Sequence, residues 1–175
     1  SFDGHKASYT EYKIVATDGE KEISAEHVLF GELYLSCGQS NMGLNVQYCS
    51  NAKEIMDGAT NPYIRVYMAP TFSSSTDFSY LPTYYDTAGV WITGDSPVQI
   101  GGASAVSYNF ILKMFEELNK NGNEVPCGFL NTAKGATSIE AWISRASINT
   151  DNVVYDYLSE RNRLLDEDKF NTNGS

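Results

Sequence analysis

The sequence predicts an α/β layered domain with a mainly parallel sheet, and three observations carry that expectation. Short apolar runs with strand character, at residues 33–36, 63–68 and 125–130, alternate with helical or loop stretches. One intervening stretch, 105–119, has a clear helical period. The composition, 42% apolar and 19% charged over 175 residues, is that of a folded chain of one domain's length, able to bury a sizeable core.

Each element follows from its local pattern. Residues 12–16 are strand-like, Asp18-Gly19 carries a hairpin signal, and 21–24 return. A lone hairpin has too little apolar face to stand by itself. Residues 1–27 are therefore expected to end a preceding β-domain or to pack on the main one, which takes 28–175. The run Leu33 to Ser36 alternates and stops at Gly38-Gln39-Ser40-Asn41-Met42, a polar cluster that can turn and open a helix. Residues 41–58 read as a polar helical or loop stretch. The strand at 63–68 is stopped by Pro70, and residues 71–85, without periodicity, are expected to form a surface loop lining a substrate cleft. Trp91 and Ile92 precede a turn-rich stretch ending at Gly101-Gly102.

In the helix at 105–119, Tyr108, Ile111, Leu112, Phe115 and Leu118 share one face. The segment closing on Gly122 stops it. Residues 125–130 read as a buried strand, 131–137 as its following loop, and 151–166 as a last helix carrying Val154, Tyr157, Leu158 and Leu165. A sheet of about three strands leaves an edge and an apolar helix face uncovered.

The net charge of −10 argues against nucleic acid and anionic membrane surfaces, which need clustered Lys and Arg. A neutral sugar or small ester is the better-matched partner. Twelve tyrosines suit carbohydrate stacking and a plain β-rich core alike. The three cysteines show no Cys-x-x-Cys spacing, which excludes the usual structural zinc pattern. Cys37 and Cys127 are expected in buried strands as small hydrophobes. One disulfide is compatible with export but not required. No apolar run reaches the roughly 18 residues of a membrane span. The opening Ser1-Phe2-Asp3, with neither an initiator Met nor a signal peptide, reads as a partial or processed chain.

Ser40 is the main candidate for chemistry. A serine at a strand-to-helix corner is exposed, and the first helical N–H groups point at whatever its oxygen attacks. That is the arrangement of a nucleophile with its own oxyanion donor. The plain alternative is a helix N-cap, a place serine favours.

The run Gly31-Glu32-Leu33-Tyr34-Leu35-Ser36-Cys37-Gly38-Gln39-Ser40-Asn41-Met42 resembles the nucleophile block of the SGNH (GDSL-like) hydrolases of the sialate O-acetylesterase type. Tyr34 replaces the usual Trp, and Ser36-Cys37 reverses the commoner order. A second run, Gly135-Ala136-Thr137-Ser138-Ile139-Glu140-Ala141-Trp142, resembles that family's Trp-Gly-Gly-Thr-x-Ile-Glu-Ala-Trp. The resemblance implies that Gly135 is the second oxyanion donor. Lys134 stands for Trp and Ala136 for the second Gly, so a positive-φ requirement at Ala136 is the point at issue. Gln39 and Asn41 flank the nucleophile and either touch substrate or hold the corner. Glu140 and Trp142 are expected to cap and pack.

The resemblance further implies a three-layer SGNH/flavodoxin-like sheet, here incomplete, preceded by the end of a β-sandwich-like domain. It implies a serine esterase acting on O-acetylated carbohydrate, sialic acid or plant polysaccharide, with no metal or organic cofactor and a secreted or periplasmic location.

Serine hydrolysis needs a base, usually a histidine oriented by a carboxylate. The chain holds His5 and His27, and none after Ser40. His27 lies thirteen residues before Ser40, a span of roughly 40 Å in a straight strand, which places it near the opposite end of the sheet. The family's Gln-Gly-Glu and Asp-x-x-His blocks are not found. The expectation is the N-terminal part of a longer esterase, cut or paired with a second chain that supplies His and Asp, and inactive by itself. The alternative is a non-catalytic carbohydrate-binding module that keeps the fold.

Overall fold

The computed structural model describes residues 4–69, 89–137 and 139–143, with Ser147, Thr150, Val153 and Asp156 beyond them. The first two strands, β1 (Ser8–Thr17) and β2 (Glu22–Phe30), form an antiparallel hairpin. Its turn is built by Asp18, whose carboxylate accepts from the N–H groups of Glu20 and Lys21 at 3.0 and 2.7 Å. Those bonds hold the Asp18 carboxyl below its ordinary pKa, the Lys21 bond most strongly.

The main sheet has four strands in the order β3-β6-β4-β5. They are β3 (Glu32–Ser36), β4 (Asn61–Met68), β5 (Val90–Gly94) and β6 (Cys127–Asn131). The β3–β6 and β6–β4 pairs are parallel and β4–β5 is antiparallel. The mainly parallel α/β expectation holds, with one antiparallel edge strand that sequence reading marked only as Trp91-Ile92. The α-helices with full bounds are α1 (Ser40–Gly43), α2 (Ala52–Asp57), α3 (Pro97–Ile100) and α4 (Ala105–Asn119).

The α4 helix has the bounds its period predicts. Ser104 caps it, its hydroxyl accepting from the Ser107 N–H at 3.3 Å. Tyr108 and Ile111 are fully buried, and Leu112, Phe115 and Leu118 pack against the core. Their partners are the sheet residues Ile64, Val66, Ile92, Cys127 and Phe129.

The strand register sorts the sheet into two unlike faces. Tyr34, Phe129, Val66 and Ile92 lie side by side on the face beneath α4. On the other face the rows are Leu33–Gly128–Arg65 and Leu35–Leu130–Tyr67–Trp91. There Leu33, Leu35 and Trp91 stay 57%, 66% and 51% exposed. The apolar face left open is thus the sheet's, whereas the expectation was a helix face. The same alternation corrects Cys37, which follows Leu33 and Leu35 on the open side and is exposed, not buried. Cys127, on the α4 side, is buried, and that burial, with the Glu32 charge, pushes its thiol up to about 11.

The hairpin packs on the main domain. Tyr9 stacks on Tyr63 with ring centroids 3.8 Å apart and donates its hydroxyl to Asn119 Oδ1 at 3.1 Å. Arg65 pairs with Glu11 at 2.8 Å and also donates to the His27 carbonyl. Glu11 is held below the usual carboxylate range by its hydrogen bond to His27 first and by the Arg65 charge after it. A preceding β-sandwich is not among the described residues. Residues 71–85 lie outside them, as does most of 151–166. Val153 and Asp156 are helical, as are Ser147 and Thr150 before the expected start.

Candidate active site

Strand β3 ends at Ser36, and the chain turns through Gly38 at φ 138°. Only glycine suits that angle, and a Cβ there would stand 2.8 Å from Met42 Cγ. Gln39, extended at φ −98° and ψ −153°, is the residue just outside α1. Its carbonyl accepts from the N–H groups of Met42 at 2.9 Å and Gly43 at 3.2 Å. Ser40 is therefore the first helical residue, and the residue at the cap position, Gln39, makes no side-chain capping bond. Ser40 is exposed, and its hydroxyl donates to the Gln39 side-chain oxygen at 2.8 Å. Asn41, next along α1, is likewise exposed.

The loop after β6 runs beside this corner. The Thr132 N–H and hydroxyl both donate to the Ser36 carbonyl, at 2.9 and 3.1 Å, and the Lys134 N–H donates to the Gly38 carbonyl at 2.8 Å. These bonds extend the parallel pairing beyond the strand ends. They deliver Gly135 to Ser40, where a Cβ on Gly135 would sit 4.0 Å from the Ser40 Cβ. Among the described residues, no backbone acceptor takes the N–H of Ser40 or of Gly135. Ala136 follows at φ 63°, the left-handed conformation at issue for that position.

Two features steady this loop. Thr137 donates its hydroxyl to the Lys134 carbonyl at 2.8 Å and accepts from Trp142 Nε1 at 3.0 Å. Trp142 closes the 3-10 turn Ile139–Trp142. Its ring nitrogen holds Thr137 through that hydrogen bond; the Glu140 side chain lies outside the described residues. At the root of the loop, buried Asn131 accepts from the Ala133 N–H at 3.2 Å.

Sequence reasoning missed the support behind Ser40. Ser36, Ser107 and Ser104 form a buried hydroxyl chain, with Ser36 Oγ to Ser107 Oγ at 2.5 Å and Ser104 Oγ to Ser107 Oγ at 3.0 Å. It joins the end of β3 to the start of α4. The available signal was two serines on the inward face of otherwise apolar elements.

Neither histidine stands at this site. His27 lies in β2 at φ 55°, with Nδ1 2.6 Å from Glu11 Oε2. It borders a cleft with Glu32, Leu33 and Cys127, at the start of β3 and β6, whereas Ser40 follows the end of β3. His5 stacks on Phe30 at 4.4 Å. Among the described residues, no cluster of three or more His, Cys, Asp or Glu side chains could hold a metal ion. Among them also, no helix is long and apolar enough to cross a membrane.

The corner thus offers an exposed hydroxyl with Gly135 beside it and, among the described residues, no histidine. Comparison with known proteins gives that arrangement a context. No protein-family model matches the chain. The sialate O-acetylesterases of Rattus norvegicus and Mus musculus are each 26% identical to it over 129 residues, 72% of this chain and 23% of theirs. A crystal structure of a carbohydrate acetylesterase from Xanthomonas citri superposes with a TM-score of 0.69 at 28% identity, over 87% of this chain and 32% of that one. The chain spans about a quarter of the length of the curated relatives it matches. Sequence and fold likenesses agree on one kind of protein: the chain is similar to part of an SGNH-like esterase of the carbohydrate-acetylesterase kind, as its run from Gly38 to Met42 implies.

Proposed function

We propose that this chain is the nucleophile-bearing part of a carbohydrate O-acetylesterase, residues 28–175 forming the N-terminal portion of its catalytic domain. The supporting observation is the approach of Gly135 to Ser40, fixed by the backbone bond from Lys134 to Gly38. In this reading Ser40 Oγ attacks the acetyl carbonyl carbon while its proton passes to a histidine outside this chain. The N–H groups of Ser40 and Gly135 bind the oxyanion, and the bond to the sugar oxygen breaks as that oxygen takes the proton back. Water then hydrolyses the acetyl-serine by the reverse roles. Gln39, already bonded to the Ser40 hydroxyl, holds or releases the nucleophile, and Asn41 faces the substrate side of the corner. The chemistry asks for no metal or organic cofactor, and an acetylated glycan substrate fits a secreted or periplasmic enzyme.

The test is a serine-directed fluorophosphonate on the longest polypeptide the source gene encodes. Labelling should map to Ser40 and vanish in Ser40→Ala, with turnover lost and the thermal midpoint nearly unchanged. Full esterase activity in that variant overturns the assignment. A second reading, a carbohydrate-binding module that retains the fold, rests on the lack of a base beside Ser40. It predicts glycan binding without labelling.

A further inference from the structure

We propose that Lys134 is a specificity residue of this site, its ammonium pairing with a carboxylate carried by the acetylated sugar, so that acidic sugars are preferred over neutral ones. The inference rests on the reading above that Ser40 and Gly135 form an esterase site.

Lys134 is fixed through its backbone on both sides. Its N–H donates to the Gly38 carbonyl at 2.8 Å, and its own carbonyl accepts from the Thr137 hydroxyl at 2.8 Å. Its side chain starts one residue from Gly135, about 3.8 Å between Cα atoms, and Gly135 lies beside Ser40. A flexible four-carbon stem rooted there is within reach of a sugar whose acetyl group sits on Ser40.

The charge at its tip is treated unlike the other cations. Lys13, Lys53, Arg65, Lys113 and Lys120 each pair with a carboxylate. Lys6 and Lys21, which have no ion pair among the described residues, are exposed. Lys134 alone among the described lysines is half-buried, and no described Asp or Glu pairs with it. Among the described residues, the buried side-chain nitrogen or oxygen that lacks a hydrogen-bond partner is Arg65 Nε. The unpaired Lys134 ammonium therefore keeps contact with solvent. A packed stem with an open head is how a lysine presents its charge.

The net charge of −10 disfavours an anionic partner at long range, so recognition of one has to come from a local cation. A sugar offers an ammonium either hydroxyls or a carboxylate, and a hydrogen bond between two charged groups is roughly twice as strong as one between neutral groups. Lysine at 134, where the resembling family carries tryptophan, exchanges an apolar ring for that charge.

The test compares the gene-length enzyme with its Lys134→Gln and Lys134→Arg variants on matched acetylated pairs. One pair is a mono-O-acetylated glucuronide and the corresponding glucoside; the other is O-acetylated N-acetylneuraminic acid and its carboxamide. Both substitutions keep the backbone tie to Gly38, which uses main-chain groups. At low salt the acidic member of a pair should show a kcat/KM about five-fold higher, the difference lying in KM. That is about 1 kcal/mol, the upper end for a partly exposed ion pair. Lys134→Gln should abolish the preference and Lys134→Arg retain it. Raising the ionic strength from about 0.01 M to about 1 M should collapse it, as the screening length shrinks from about 30 Å to about 3 Å. The pair that shows the preference tells a uronic from a nonulosonic acid. Equal selectivity in the wild type and Lys134→Gln on both pairs overturns the proposal. So does a Lys134→Gln loss that falls on kcat for acidic and neutral members alike, which marks a structural lysine. Calorimetric titration of the same sugars into the Ser40→Ala protein separates this proposal from the reading beneath it. Lys134-dependent binding of the acidic member, with no Ser40-dependent turnover in the wild type, keeps the role of Lys134 and removes the esterase. Ser40-dependent turnover blind to the carboxylate does the reverse, and neither binding nor turnover overturns both.

Discussion

The Lys134 N–H donates to the Gly38 carbonyl at 2.8 Å, tying the loop after β6 to the corner after β3. Because both groups are backbone, the tie is indifferent to the side chain at 134, where lysine stands for the family's tryptophan. With the Thr132 bond to Ser36 it carries the pairing past the strand ends, by two residues after β3 and three after β6, which sets the separation of Gly135 and Ser40. The proposed oxyanion site thus inherits its geometry from the parallel pairing of β3 with the buried β6.

Crowding Gly135 should hurt turnover more than binding. A valine side chain begins with a Cβ 4.0 Å from that of Ser40, so its methyls intrude where the acetyl oxygen would sit. In the gene-length enzyme, Gly135→Val is expected to lower kcat by ~10²–10³, the loss typical of one oxyanion donor, with KM little changed. A variant that folds and keeps its rate shows Gly135 to be a turn residue.

Ala136 at φ 63° holds a conformation that costs an L-residue about 1–2 kcal/mol. Ala136→Gly relieves that strain and gives back part of it as unfolded-chain entropy. The expected outcome is a gain of about 0.5–1 kcal/mol, read as a higher urea midpoint with an unchanged slope. A lower midpoint would mean that the exposed methyl makes a contact worth more than the strain.

These residues also show how far the sequence could be read. The period of Tyr108, Ile111, Leu112 and Phe115 defined α4 because a single helix face meets a single sheet face. Gly38 was legible because the corner demands a residue without a Cβ. The exposure of Cys37 was not, since alternation assigns a side only once the covered face is known. Strand β5 was missed for a related reason: five residues ending in Thr93-Gly94 carry too weak a pattern to stand apart from turns. The Ser36–Ser107 contact joins residues 71 apart, a separation no local pattern reports.

That contact makes its own prediction. Ser107 is the hub between Ser36 and Ser104, and all three are buried. Ser107→Ala leaves the Ser36 hydroxyl in the interior without its partner. The expected loss is about 1–3 kcal/mol in chemical denaturation, the cost of one buried polar group left unmade. Pairing it with Ser36→Ala should restore part of that loss, since both partners are then apolar. A double variant as weak as the sum of the singles would show the two hydroxyls to be independent.

The hydroxyl of Ser40 donates to the Gln39 amide oxygen, a group that cannot take its proton at neutral pH. His27 is engaged with Glu11, and His5 lies against Phe30. Without a base a serine hydroxyl is a poor nucleophile. The polypeptide of residues 1–175, verified by mass, should therefore hydrolyse p-nitrophenyl acetate no faster than its Ser40→Ala variant. The gene-length protein should show Ser40-dependent turnover whose rate rises through roughly pH 6–7, the range in which a histidine becomes the free base. Ser40-dependent turnover by residues 1–175 alone would show that a group within this chain takes the proton. A flat pH profile in the longer protein would exclude histidine as the acceptor.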